Sequence, residues 1–101
     1  MVAILALYGR PNDEREFLRY YAATHAPLAS GLPGLQSYRH GRVYGGGEDP
    51  PSTWYAAVLT FSDRAALDAA LGSDQGKKTA GDLPNFATGG VQLLFAEHGE
   101  T

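Results

Sequence analysis

The chain has 101 residues, 44% hydrophobic and 19% charged, with a net charge of −3 and no cysteine. That length suits one domain over 1–101 with a thin core, and the composition is globular rather than disordered. Disulfides and thiolate metal sites are excluded, and the eight basic residues form no stripe, which argues against a nucleic-acid partner.

Val2 to Tyr8 is a continuous apolar run closed by Gly9 and Pro11 and reads as a buried strand. It is far too short to span a bilayer and lacks a basic leader, so no membrane partner is expected and a cytoplasmic location is the default. Asn12 or Asp13 offers a helix N-cap, and Asp13 with Glu16 has capping-box spacing. Phe17, Tyr21, Thr24 or His25, and Leu28 follow at helical spacing, with Glu14, Arg15 and Arg19 opposite. Pro27 disfavours helical geometry at the residue before it, so this helix is predicted to end near His25. A glycine turn, Gly31 to Leu35, leads into an alternating stretch from Gly34 to Tyr44. There Gln36, Tyr38, His40, Arg42 and Tyr44 share one face of a second strand, and Leu35, Ser37, Arg39, Gly41 and Val43 the other.

Gly45 to Ser52 reads as a mobile connection. Trp54 to Phe61 is a third strand, paired with the second as a hairpin. Ser62 or Asp63 caps a second helix running through Leu71, and Asp74 to Gly81 adds a turn or two before Pro84. Gly90 to Glu97 is the fourth strand, with a frayed tail after His98. The order β-α-β-β-α-β predicts an α+β, ferredoxin-like fold: a four-stranded antiparallel sheet with both helices on one face.

The first, third and fourth strands are apolar on both faces, which two helices on one side cannot cover. A bare face of that size is too large to leave wet. The expected cover is a second copy, giving a homodimer through the open sheet face. Roughly 800 Å² per subunit would suffice.

His25 is the leading candidate for chemistry, because an imidazole gives and takes protons near neutral pH. At a helix C-terminus its cation would gain from the dipole, while inward placement beside Phe17 and Tyr21 would oppose this. The plainer reading is a helix-ending histidine bonded to the last carbonyls. Tyr8, Tyr21, Tyr38, Tyr44 and Tyr55 are candidate pocket phenols. Packing is the plainer role for most, and Tyr8 and Tyr21 are the better placed. His40 and Tyr38 share a face, either toward the helices or toward the partner sheet, with an interface role favoured over a catalytic one, while Arg39 points away from them. Arg42 is either an anion contact or a solvated side chain, and His98 lies in the tail. GxGxxG, P-loop, HExxH and GxSxG signatures are absent. Three separated histidines make a poor zinc site, and no haem ligand stands out.

Four motifs in order carry a resemblance. They are Tyr8 with Pro11-Asn12-Asp13, then Tyr20-Tyr21 with His25-Ala26-Pro27-Leu28, then Leu32-Pro33-Gly34-Leu35, and finally Asp82-Leu83-Pro84-Asn85-Phe86. Together they resemble the EthD family, named for ethyl tert-butyl ether degradation, within the dimeric α+β barrel superfamily. Pro84 is unusual there, since it would break a helix running through it. The resemblance implies a cofactor-free homodimer tied to catabolic gene clusters and to decarboxylation, dehydration or cyclisation of aromatic or polyketide-like molecules. Carried onto this chain, it implies His25 as general acid or base, with Tyr8, Tyr21, Leu28 and Phe86 around a small hydrophobic ligand and no metal. The rival readings are a non-catalytic small-molecule binder or accessory protein of a degradation pathway, and a cofactor-free monooxygenase or haem-using relative on the same fold.

Overall fold

A computed structural model describes residues 1–47 and 50–99. Within the expected connection, Glu48 and Asp49 lie outside the described residues, as do Glu100 and Thr101 of the tail. The sheet has four strands, β1 (Val2–Tyr8), β2 (Ser37–Arg42), β3 (Tyr55–Phe61) and β4 (Val91–Glu97), in the order β2-β3-β1-β4. All three pairings are antiparallel. The strand order puts β1 and β3 inside and leaves β2 and β4 as edges.

Register decides which side chains meet. Ile4, Ala6 and Tyr8 lie opposite Leu59, Ala57 and Tyr55 on one side and Phe95, Leu93 and Val91 on the other. On the helix face, Val2 to Tyr8 and Tyr55 to Phe61 at alternate positions build the core with Phe17, Tyr21, Leu67, Ala70 and Phe86. Phe61, Tyr8 and Tyr21 are its largest fully buried side chains.

The first helix does not end at His25. It runs as α1 (Glu14–Tyr20), a widened π segment (Tyr21–His25) and α2 (Ala26–Ser30). The backbone N–H of Ala26 bonds to the Tyr21 carbonyl, five residues back. Two features account for the wide turn. Phe17, Tyr21, His25 and Ala29 recur every four residues and all are buried. A step of four overshoots a 3.6-residue turn by about 40°, so the run would drift off the core, and one wide turn restores its phase. The widening also lets Pro27 fall in the first turn of α2, where a missing N–H is tolerated. His25 therefore sits inside a helix and gains nothing from a helix end. Asp13 caps the start, accepting from the Glu16 N–H at 3.0 Å. The exposed Glu16 carboxylate pairs with Arg19 instead of returning to the cap.

After Ser30 the chain turns through Gly34, whose φ of +76° favours glycine. Two helices follow β3. Asp63 caps α3 (Arg64–Gly72) through the Ala66 N–H at 2.8 Å. Ser73 caps α4 (Asp74–Asp82) through the Gly76 N–H at 3.0 Å. At Gly76 a Cβ would lie 2.2 Å from the Ala70 carbonyl oxygen, so only glycine allows so sharp a corner. Pro84 breaks no α-helix, because α4 stops at Asp82 and Pro84 is the second residue of a short 3-10 turn, Leu83–Asn85.

The helices leave apolar surface bare. By register, Ala3, Leu5, Leu7, Ala56, Val58, Leu94 and Ala96 share the face away from them. Val58 and Leu94 are 38% and 40% exposed. Strand β4 is bare on both sides, since Phe95 on the helix face is 60% exposed. Among the described residues no helix is long and apolar enough to cross a membrane.

Candidate functional site

Between the sheet and the first helix lies a cavity of about 70 Å³. Its floor comes from alternate positions of β1 and β3, among them Ile4, Ala6 and Leu59, and its roof from Tyr21, His25 and Ala29 of the first helix. Leu71, Thr79 and Leu83 close one side, and the half-exposed Leu93 of β4 stands at the mouth. Most of the wall is apolar. The polar atoms come from Tyr8, Tyr21, Tyr38, His25 and Thr79, and no arginine or lysine contributes to it. A volume of this size admits a few waters or a small organic group.

His25 is 4% exposed. Its Nδ1 lies 3.0 Å from Asp82 Oδ2. The Asp82 carboxylate also accepts from Tyr20 Oη at 2.5 Å and Asn85 Nδ2 at 3.1 Å, both at Oδ1. Burial pushes the Asp82 carboxyl up, but the hydrogen bonds from Tyr20, Asn85 and His25 outweigh it and hold the group below its ordinary value. Burial likewise lowers the imidazole, and Asp82 offsets part of that. At neutral pH the ring is thus neutral and its partner ionised. An ionised carboxylate can only accept, so Nδ1 carries the proton. His25 lines the cavity and Asp82 does not, and with Nδ1 held by Asp82 the nitrogen left to accept a proton is Nε2. A neutral imidazole with one nitrogen locked and the other open is a proton acceptor in waiting.

Next to it stands a row of phenols. The Tyr21 and Tyr38 hydroxyls are 2.5 Å apart. Tyr21 packs on His25 at 5.2 Å between ring centroids, and on Tyr8 at 5.9 Å, edge to face. Burial raises all three phenols, Tyr38 to about 12 and Tyr8 and Tyr21 further. They remain protonated donors throughout the physiological range. Phe17, Tyr55 and Phe86 continue the aromatic packing around Tyr8 and Tyr21, which fixes the phenols by edge contacts rather than by fluid packing.

Of the residues singled out from sequence, the cavity brings together His25, Tyr8, Tyr21 and Tyr38. Leu28 lies off the cavity, and its carbonyl accepts from Gln75 Nε2 at 2.8 Å. Phe86 backs the imidazole at 4.6 Å between ring centroids without lining the space. His40 and Tyr38 face the helices, and His40 Nδ1 meets Tyr55 Oη at 2.7 Å. Arg42 lies over the Trp54 ring, 4.2 Å from its centroid. Tyr44 is 98% exposed, and the exposed His98 bonds through its backbone N–H to the Met1 carbonyl. Sequence reasoning left Asp82, Tyr20 and Asn85 without roles. Asp82 and Asn85 stood inside the last motif, but nothing local shows that a carboxylate 57 positions away completes the histidine. No group of three or more His, Cys, Asp or Glu side chains that could hold a metal ion occurs among the described residues.

The family model of the EthD domain matches residues 10–90. An uncharacterized 11.0 kDa protein in the thcB-thcC intergenic region of Rhodococcus erythropolis is 32% identical over 97 residues, covering 96% of this chain and 94% of that one. A crystal structure of an ethyl tert-butyl ether degradation family protein from Bacillus halodurans superposes with a TM-score of 0.90 at 31% identity, covering 97% of this chain and 98% of the other. A dimeric ferredoxin-like protein of unknown function from Jannaschia sp. CCS1 gives a TM-score of 0.67 at 26% identity, over 97% of this chain and 100% of that one.

Proposed function

We propose, starting from the fact that the chain belongs to the EthD family, that it binds a small, largely hydrophobic molecule and moves a proton on it. The ligand occupies the cavity between sheet and helices. His25 is the general base through Nε2, and Asp82 orients the ring and steadies the imidazolium that forms. The observation that carries this reading is a neutral, buried imidazole that lines a cavity and is tied at Nδ1 to an ionised carboxylate. Positioned proton transfer contributes roughly 10²- to 10⁴-fold, enough for an undemanding step such as enolisation, dehydration or decarboxylation.

The working unit is a homodimer of single-domain subunits paired through the bare sheet face. Two things support this: the apolar residues left exposed on β3 and β4, and the dimeric description of the Jannaschia sp. CCS1 structure.

The test is an NMR titration of the His25 ring with acetophenone as probe ligand, in wild type and His25→Gln. The ring should titrate below the ordinary histidine range and shift on addition of the probe. A His25 resonance untouched by any ligand that binds the protein would take the residue out of the site.

A further inference from the structure

We propose that the Tyr21–Tyr38 hydroxyl pair is the acidic counterpart of His25, and that the site is built for neutral carbonyl compounds with a removable α-hydrogen. This rests on the reading of His25 as a base and names its substrate class.

The two hydroxyls supply two donor protons, and their mutual bond uses one. Tyr21 also hydrogen-bonds Tyr8; three hydroxyls joined by two bonds use two of their three protons, so one O–H remains for a ligand whichever way the bonds point. Both side chains line the cavity that His25 lines. Tyr8 adds a third phenol to the same wall. A base and an O–H donor facing one small apolar space are what a carbonyl compound needs at its two ends. His25 Nε2 takes the α-hydrogen as a proton. The C–H electron pair becomes the C=C bond, and the carbonyl π pair moves to oxygen. The phenol O–H donates a hydrogen bond to that oxygen as its charge grows. Return of a proton from the imidazolium to carbon restores the ketone and the free base. No oxidant, reductant or co-reactant is consumed.

Charge selects the class. The wall holds no arginine or lysine, and the Asp82 carboxylate stands behind His25. A carboxylate or phosphate on the ligand would lose its hydration without an opposite charge to replace it. The remainder of the wall, from Ile4, Ala6, Leu32 and Leu59, suits a hydrocarbon body.

The experiment follows exchange of α-hydrogens for deuterium by NMR in D2O, with cyclopentanone and acetophenone as neutral probes and phenylacetate as the anionic one. Variants are Tyr38→Phe, Tyr21→Phe and His25→Gln, with folding checked by circular dichroism. Wild type should accelerate exchange of the ketones and not of phenylacetate. Tyr38→Phe, at the half-buried member of the pair, should slow it by about 10- to 100-fold, the range below the loss of a full oxyanion donor. His25→Gln should slow it more. Full activity in both Tyr→Phe variants, with loss in His25→Gln, would overturn the phenol assignment and leave the base intact. Full activity in His25→Gln would overturn the underlying reading. Absent exchange of every ketone by a wild-type protein that still binds them at His25, or equal exchange of phenylacetate, would overturn the substrate class.

Discussion

Asp82→Asn keeps the shape of the side chain that meets Tyr20 and His25 and removes a single charge. In the native protein the Asp82 hydrogen bond and charge raise the imidazole against the larger effect of burial. Without the charge, the His25 value falls further. The rising limb of the pH–rate profile should move to lower pH, and the rate at neutrality should drop because Nδ1–H is no longer drawn to an anion. Stability should fall by about 1–3 kcal/mol, as expected when a buried donor loses its charged partner. An unshifted limb would show that Asp82 does not act through the ring. The same two groups contribute to the acid side of stability. Both have folded values below their unfolded ones. Each therefore contributes stability that is present above its unfolded value and lost as pH falls through its folded one. Melting temperature should decline below the ordinary histidine range, then again below the ordinary carboxylate range, and His25→Gln should shrink the first decline to the share of His40, whose ring burial also lowers. The histidine was legible in the sequence as a residue type next to aromatic positions. Its carboxylate was not, because helical spacing says nothing about which strand end a distant segment returns to.

The first helix was read one turn too short. The rule that the residue before proline leaves helical geometry pointed to a stop at His25, whereas Ala26 keeps helical φ and ψ of −60° and −42°. Burial decided the matter. Ala29 and Leu32 are 2% and 6% exposed, and stopping the helix would have left the core without them. The four-residue spacing from Phe17 to Ala29 was itself the visible sign of a widened turn, since a plain α-helix favours a mixture of threes and fours. Inserting a second alanine after the exposed Ala22 adds a residue that the wide turn does not absorb and should rotate Phe17 and Tyr21 relative to His25 and Ala29 by about 100°. One of the two buried sets must then turn toward water. The melting temperature should drop by at least roughly 8 °C, corresponding to about 2 kcal/mol in a domain of this size. An unchanged melt would show that the wide turn is not enforced by packing. The caps at Asp13 and Asp63 were legible because they depend on residues three apart.

At the scale of the molecule, the element order and the sheet were legible because period-two and helical patterns are local and the connections are short. The apolar second face was legible for the same reason. Its bareness in one subunit follows from geometry: the helices pack on the opposite face, where the core lies, and Val58 and Leu94 stay exposed. Placing a charge there should oppose pairing without touching the cavity. Val58→Asp sets a carboxylate in the middle of the bare face, where each association would bury two of them. Leaving a charge buried and unpaired costs about 3–5 kcal/mol, so the dissociation constant should rise on the order of 100-fold or more. Sedimentation at micromolar concentration should report single subunits for this variant and pairs for wild type. Pairs that persist unchanged would place the interface elsewhere.

The imidazole and its carboxylate come from opposite halves of the chain, one on the first helical crossover and the other at the close of the second. No fragment confined to one half can reproduce their contact, and no folding event confined to either half can form it. The locked ring therefore needs both halves in place, and its appearance during refolding reports when they have docked.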